Sequence, residues 1–444
     1  MKKIYRKKLI LIAAMMALAS VSGCGKLNQE VNDKGPVYTP TRTGVSVEDE
    51  NSAAPVESKA ATQNDSSAET NSSAETDGSS ETAQPQAEPK EFQVSEKAAE
   101  VMASMTLEEK ICQLFIVRVD TLETDDNTDI GVTWCDGGMK DTIEKYPVGG
   151  VIYFAKNVSD PEQLTKLSAD LQKCSKYPLF ISIDEEGGQV ARIANDPDFH
   201  VTDYESMLSV GNTGDTENAR EVGSTIGAYL KEYGINLDFA PVADVFTNPD
   251  NTVIGDRSFG TDASTVSGMV SACIDGFHEQ NVMTCIKHYP GHGDTSADTH
   301  SGYVQVDKTW DELKEQELLP FINNMEKTDM IMAAHLTLPN VTDDKLPASL
   351  SKTLLTDKLR GELGYNGVII TDALGMGAIA NNYSTAEAVV KVINAGADII
   401  LMPTSLASGY SALYYAVENG DIPESRIDES VGRILTLKDK YGLL

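Results

Sequence analysis

Residues Val282–His300 read VMTCIKHYPGHGDTSADTH. The first seven, VMTCIKH, form a near-continuous apolar run, the composition of a strand buried on both faces of a parallel sheet. The remainder cannot continue as a regular helix, because Pro290, Gly291 and Gly293 interrupt it. A buried strand therefore ends on Lys287 and His288 and opens into a loop that holds His292, Asp294, Asp298 and His300. Three of the chain's six histidines fall in this one segment.

The same pattern recurs along the chain. Apolar runs at Cys112–Val119, Val148–Phe154, Leu179–Asp184, Ile235–Pro241, Val282–His288, Met330–His335, Gly367–Asp372 and Asp398–Pro403 alternate with amphipathic stretches of helical period. DPEQLTKLSADLQKC, TENAREVGSTIGAYLKEY, TVSGMVSACIDGFHEQ and SKTLLTDKLRGELG are four such stretches. Eight strands alternating with helices predict an α/β fold, a single (β/α)8 TIM-type barrel over residues 93–444, with a doubly wound open sheet as the competing topology. Ionisable residues close successive runs: Asp184 the third, Lys287 and His288 the fifth, His335 the sixth, Asp372 the seventh, with Asp238 and Asp244 flanking the end of the fourth. A barrel gathers the carboxyl ends of its strands around one mouth, where active sites of this architecture lie.

Outside the barrel the composition changes. MKKIYRKK is a basic start, LILIAAMMALAS an apolar core too short for a comfortable span, and VSGC a small-residue ending. Residues 1–23 read as a lipoprotein signal peptide with Cys24 as the lipidated first residue. Residues 24–92, rich in Ser, Thr, Glu and Ala, read as a disordered acidic tether that cannot bury enough apolar surface to fold. About 65 such residues reach on the order of 45 Å. These features predict a protein on the extracytoplasmic face of the cell membrane, held there by its lipid alone. The net charge of −32 argues against a nucleic-acid partner. Besides Cys24, five cysteines remain, an odd number without CxxC spacing, so neither a zinc site nor a disulfide framework is indicated. Trp134 and Trp310 are read as packing residues.

Three readings of the histidine loop stand side by side. A metal cage would need His288 and His292 on one helical face, which the proline and glycines forbid, although a loop could still gather them with Asp294 and His300. A polar turn could satisfy itself. A catalytic loop would pair Asp298 with His300, two residues apart, the carboxylate orienting the imidazole and raising its proton affinity.

Beside these readings, KHYPGHGDTSADTH resembles the histidine-loop signature of family 3 glycoside hydrolases of the β-N-acetylhexosaminidase branch. IDEEGGQVARI, APVADV, GDRSFG, PASLS, ITDALGM and INAGADIILMP follow in the family's order. The resemblance implies Asp372 as nucleophile, His300 as general acid/base and Asp298 as its orienting partner. It implies Asp184, Arg192, Arg257, Lys287 and His288 as sugar-binding residues, and His292 as a residue that shapes the turn. No metal and no cofactor are implied. The implied activity is retaining, exo-acting hydrolysis of terminal β-linked N-acetylglucosamine from peptidoglycan fragments, by a monomer. A β-glucosidase or phosphorylase of the same family and a non-catalytic sugar-binding lipoprotein are the alternatives. Ala373 departs from the pattern, standing where an acidic residue is frequent.

Overall fold

Eight parallel strands form the centre of the computed structural model, which describes residues 92–126, 128–296 and 304–444. They are β1 (Phe115–Arg118), β2 (Gly150–Tyr153), β3 (Phe180–Ile183) and β4 (Leu237–Asp238). The second half comprises β5 (Met283–Tyr289), β6 (Met330–Ala333), β7 (Val368–Thr371) and β8 (Ile400–Leu401). Each pairs with its sequence neighbour, and β8 returns to pair with β1 through Phe115–Ile400 and Ile116–Leu401. The seam between β7 and β8 is closed by the parallel bridge Ile370–Ile399 and by Thr371 N–H donating to Ile399 O at 3.1 Å. A sheet paired at both ends is a barrel, so the open doubly wound alternative is excluded.

All eight expected runs hold a strand; seven strands are shorter than their runs, while β5 keeps 7 residues and is shifted by one, from Val282–His288 to Met283–Tyr289. At the first, Cys112 and Gln113 belong to the helix Leu107–Gln113. Their continuity with the run reflects burial of the helix end, which periodicity cannot separate from a buried strand over so few residues. The expected helices form at Pro161–Cys174, Thr216–Glu232 and Ala263–Glu279, each started by an aspartate whose side chain accepts a backbone N–H of the first turn. The segment SKTLLTDKLRGELG instead carries a π-helix, Thr353–Glu362, whose wider turn is a rare departure from the α pattern. No helix among the described residues is long and apolar enough to cross a membrane.

The amino-terminal end of the barrel is plugged by the last helix, Glu424–Lys440. Lys438 enters beneath β1 and β2 and donates to Gln113 Oε1 at 2.8 Å and Gly149 O at 3.1 Å. Burial without a counter-charge pulls its ammonium down to about 7. Asp398 is fully buried nearby and gathers Arg360 at 2.6 Å, Arg433 at 3.3 Å and Ser430 Oγ at 2.7 Å. Every charge in the Asp398 cluster is partnered inside the protein, so this end serves stability. The opposite end holds charges around an open cavity.

Candidate active site

A cavity of about 480 Å³ opens at the carboxyl ends of the strands, lined by residues from all eight strands or the loops that follow them. A slightly larger depression of about 530 Å³, between Thr261 and Leu319, lies outside the strands and gathers no strand-end residue. Cavity size alone therefore does not locate the site. Of the sequence-predicted site residues, Asp184, Arg192, Arg257, Lys287, His288 and Asp372 all line the strand-end cavity. Asp298 and His300 lie outside the described residues, as do Cys24, the segment read as leader and all of the tether but its last residue, Phe92.

Lys287 and His288 are consecutive, yet both face the cavity. Neighbours on a regular strand point to opposite faces. The pairing of β5 with β6 shifts register between Ile286 and Tyr289, and this irregularity turns both side chains to one side. Lys287 Nζ lies 2.6 Å from Asp184 Oδ1 and 2.7 Å from Glu186 Oε1. Arg257 meets Glu186 with two parallel bonds, Nε to Oε2 and Nη2 to Oε1, both 2.7 Å. Arg192 Nη2 approaches Asp184 Oδ2 at 3.8 Å. An alternating chain results: Arg192, Asp184, Lys287, Glu186, Arg257. Burial would raise the Glu186 carboxyl, but the Arg257 and Lys287 cations outweigh it and hold the group well below its ordinary value. Burial would likewise lower the Lys287 ammonium, yet Asp184 and Glu186 raise it instead.

The Glu185–Glu186–Gly187–Gly188 turn that supplies Glu186 is built by its other glutamate. Glu185 accepts backbone N–H groups from Arg192, Ile193 and Ala194 at 2.5, 3.0 and 2.8 Å and the Tyr229 hydroxyl at 2.9 Å. Gly187 and Gly188 adopt φ of +89° and +64°, a region that side-chained residues resist.

Asp244, fully buried behind the cavity, organises the first half of the histidine loop. It accepts from His288 Nδ1 at 2.7 Å and from the His292 N–H at 2.6 Å. Since a carboxylate only accepts, Nδ1 of His288 carries the proton and Nε2 is left for the cavity. His292 Nδ1 lies 2.8 Å from the Thr295 hydroxyl, so this residue does shape the turn. Burial, then the neighbouring His288, holds the His292 imidazole below its ordinary value. Gly293 is required by space: a Cβ there would sit 1.8 Å from Val245 O. Among the described residues no group of His, Cys, Asp and Glu has the arrangement of a metal site. His292 and Asp294 diverge, the latter toward Lys308 at 3.4 Å and Thr247 at 3.2 Å, which removes the described part of the proposed cage.

Asp372 follows β7 directly. Its N–H donates to Ala333 O at 2.9 Å, tying it to β6, and its Oδ1 accepts the Ala373 N–H at 2.7 Å. His335 supports this peptide from behind: Nε2 donates to Ala373 O at 3.0 Å, and Nδ1 lies 2.7 Å from Ser349 Oγ in the PASLS segment. Burial pushes the Asp372 carboxyl up, but the His335 and His288 imidazoles, the Ala373 N–H and Lys287 outweigh it and hold it below the ordinary carboxylate value. An ionised carboxylate thus shares a cavity with cations and directional donors.

Sequence reasoning passed over two contributors, Glu186 and Arg118. Glu186 had no assigned role, although buried Lys287 and Arg257 together need more than one carboxylate. Arg118 ends β1, pairs with Asp129 at 2.9 Å and stacks over the Phe154 ring at 4.4 Å from its centroid. Arg192 flanks the same ring at 5.6 Å. The tryptophans split: Trp310 is buried and donates to Glu362 at 2.7 Å, whereas Trp134 is 69% exposed, so the packing expectation for Trp134 is overturned. Trp134 sits in an irregular segment of nonperiodic sequence, where apolarity does not predict burial.

With this geometry in hand, known proteins give a consistent picture. Beta-hexosaminidase A of Pseudoalteromonas piscicida is 37% identical over 331 residues, 68% of this chain and 55% of that protein. Beta-hexosaminidase LpqI of Mycobacterium tuberculosis is 34% identical over 309 residues, 67% of this chain and 77% of that protein. The solved glycoside hydrolase family 3 beta-N-acetylglucosaminidase of Paenibacillus sp. str. FPU-7 superposes with a TM-score of 0.70 at 39% identity, over 77% of this chain and 63% of that one. The chain therefore spans little more than half of the first relative and nearly all of neither other. The signature described as the glycosyl hydrolase family 3 N terminal domain matches residues 106–437, which include the barrel and every described cavity residue. The chain belongs to glycoside hydrolase family 3.

Proposed function

We propose that the chain is a retaining exo-β-N-acetylhexosaminidase that releases terminal, non-reducing N-acetylglucosamine. One observation carries this reading: the Asp372 carboxylate, held ionised at the tip of β7, faces the same cavity as the Asp184–Lys287–Glu186–Arg257 array and His288. Sugar hydroxyls and an acetamido group are recognised by directional, charge-assisted hydrogen bonds, which these side chains supply. Asp184 accepts from hydroxyls, while Lys287, Arg192, Arg257 and His288 Nε2 present the cationic and imidazole face.

Asp372 attacks the anomeric carbon as the glycosidic bond breaks, and the departing oxygen takes a proton from His300. A covalent glycosyl–Asp372 intermediate results. His300, now neutral, accepts a proton from water, whose oxygen attacks the anomeric carbon and displaces Asp372. Asp298 orients the imidazole. His300 follows four residues after Ser296, so the acid/base belongs to the same loop whose root Asp244 holds.

The substrate class follows from the acetamido-binding role and is tested by comparing an aryl N-acetyl-β-glucosaminide with the aryl β-glucoside. A site built to bond the acetamido group should prefer the former in kcat/KM by at least ~10²-fold. Equal rates, or preference for the glucoside, would reassign the chain as a β-glucosidase. The same reading places the enzyme as a single chain on the outer face of the cell membrane, lipidated at Cys24 and suspended by the acidic tether. Peptidoglycan fragments are then the natural substrate.

A further inference from the structure

Five cysteines lie among the described residues, and all are free thiols. Cys112, Cys273 and Cys285 are buried. Cys135 and Cys174 differ from them: both are partly exposed, and their sulfurs lie 3.7 Å apart although the residues are separated by 39 positions. Neither composition nor spacing announced this pair.

Each thiol hangs on a defined backbone. Cys174 is the last residue of the helix Pro161–Cys174, and Cys135 immediately precedes Asp136, the cap of the helix Gly137–Lys145. Residues 128–136 form a strap alongside the first helix, fastened by bonds that do not involve sulfur. Val132 N–H donates to Asp120 Oδ1 at 2.9 Å, Asn157 Nδ2 to Val132 O at 3.0 Å, and Gln163 Nε2 to Thr133 O at 2.7 Å. The thiols are thus delivered to one another by an independently held scaffold. Closing to a bond of about 2.05 Å needs less than about 2 Å of approach, within the range of side-chain torsion. The far end of the strap carries Asp129, which pairs with Arg118 on the cavity wall at 2.9 Å.

We propose that Cys135 and Cys174 are a disulfide-forming pair, oxidised by exchange with an external disulfide, and that the bond locks the strap 128–136 onto the helix Pro161–Cys174. The thiolate of one cysteine attacks the external disulfide and expels the first external thiolate, leaving a mixed disulfide. The second cysteine, as thiolate, attacks the mixed-disulfide sulfur on this chain and expels the second. The cysteines lose two electrons and two protons. The external disulfide is reduced to two thiols, which take up those protons from solvent.

The test uses the full chain, incubated with glutathione disulfide at mildly alkaline pH, alkylated and digested. The expected product is one cross-linked peptide pair joining Cys135 to Cys174, two hydrogens lighter than the reduced pair. Constraining a loop of this length should raise Tm by ~5 °C, a shift reversed by dithiothreitol and absent in Cys135→Ser and in Cys174→Ser. The proposal is overturned if the two cysteines are recovered singly alkylated, as separate glutathione adducts or linked to other cysteines. It is equally overturned if the cross-link forms and Tm does not move.

Discussion

Asp372→Asn is expected to lower kcat on an aryl N-acetyl-β-glucosaminide by ~10⁴-fold or more, about 5.5 kcal/mol of transition-state stabilisation, with KM changed only severalfold. The carboxamide has nearly the shape of the carboxylate, and its oxygen can still accept the Ala373 N–H that Oδ1 accepts at 2.7 Å. What it lacks is the charge that the His335 and His288 imidazoles, the Ala373 N–H and Lys287 hold in place against burial, and the oxygen that bonds to carbon. The loss therefore falls on chemistry and leaves sugar binding largely intact. Steady-state kinetics on variant protein with unchanged Tm makes the separation. A loss confined to KM would mean that Asp372 only binds. In Asp372→Ala, a small anionic nucleophile such as azide should restore turnover and give a product of inverted anomeric configuration, because it attacks the face Asp372 vacates.

The second large effect concerns the array itself. Glu186→Gln leaves Arg257 and Lys287 short of their shared counter-charge in a buried position, where breaking one partner of an ion pair costs about 3–5 kcal/mol. The side chain of Glu186 is 1% exposed and accepts both 2.7 Å bonds from Arg257 and one from Lys287, so solvent cannot take its place. Because folding holds this carboxyl below its ordinary value of 4.5, its contribution is complete above that value and is lost as pH falls through the lowered one. Wild-type Tm should then fall more steeply than that of Glu186→Gln as pH is lowered from 5 toward 3. Parallel acid limbs would show that Glu186 is not held by its partners. Since Asp184 shares Lys287, KM for the N-acetylglucosaminide should rise in the same variant.

The barrel was legible in sequence because strands buried on both faces have no alternation to lose: VIITD and LFISID declare themselves by continuous apolarity and by the carboxylate at the tip. The strand ends were less so. Cys112–Gln113 and Ile116–Val117 are equally buried, and only hydrogen bonding makes one a helix end and the other a strand. Asp372, Lys287 and Asp184 could be proposed because each sits at a strand tip, where topology converts sequence position into location. Glu186, Arg118 and the Cys135–Cys174 pair escaped for the opposite reason. Their roles depend on which remote element lies across from them: Arg257 on a turn 71 residues away, Asp129 on the strap, a helix end 39 residues on. The exposed Trp134 belongs to the same class, since nothing local says that its segment runs outside the helix.

Covalent trapping tests most directly whether Asp372 is the atom donor to the sugar. The protein is incubated with a 5-fluoro N-acetylglucosaminyl donor bearing a good leaving group, which slows release of the glycosyl-enzyme more than its formation, then digested and mapped by mass spectrometry. The expected result is a single added glycosyl group on the peptide that contains Asp372, with activity lost in step with labelling. A label on any other residue, or steady turnover of the normal substrate by protein that never acquires one, would contradict it.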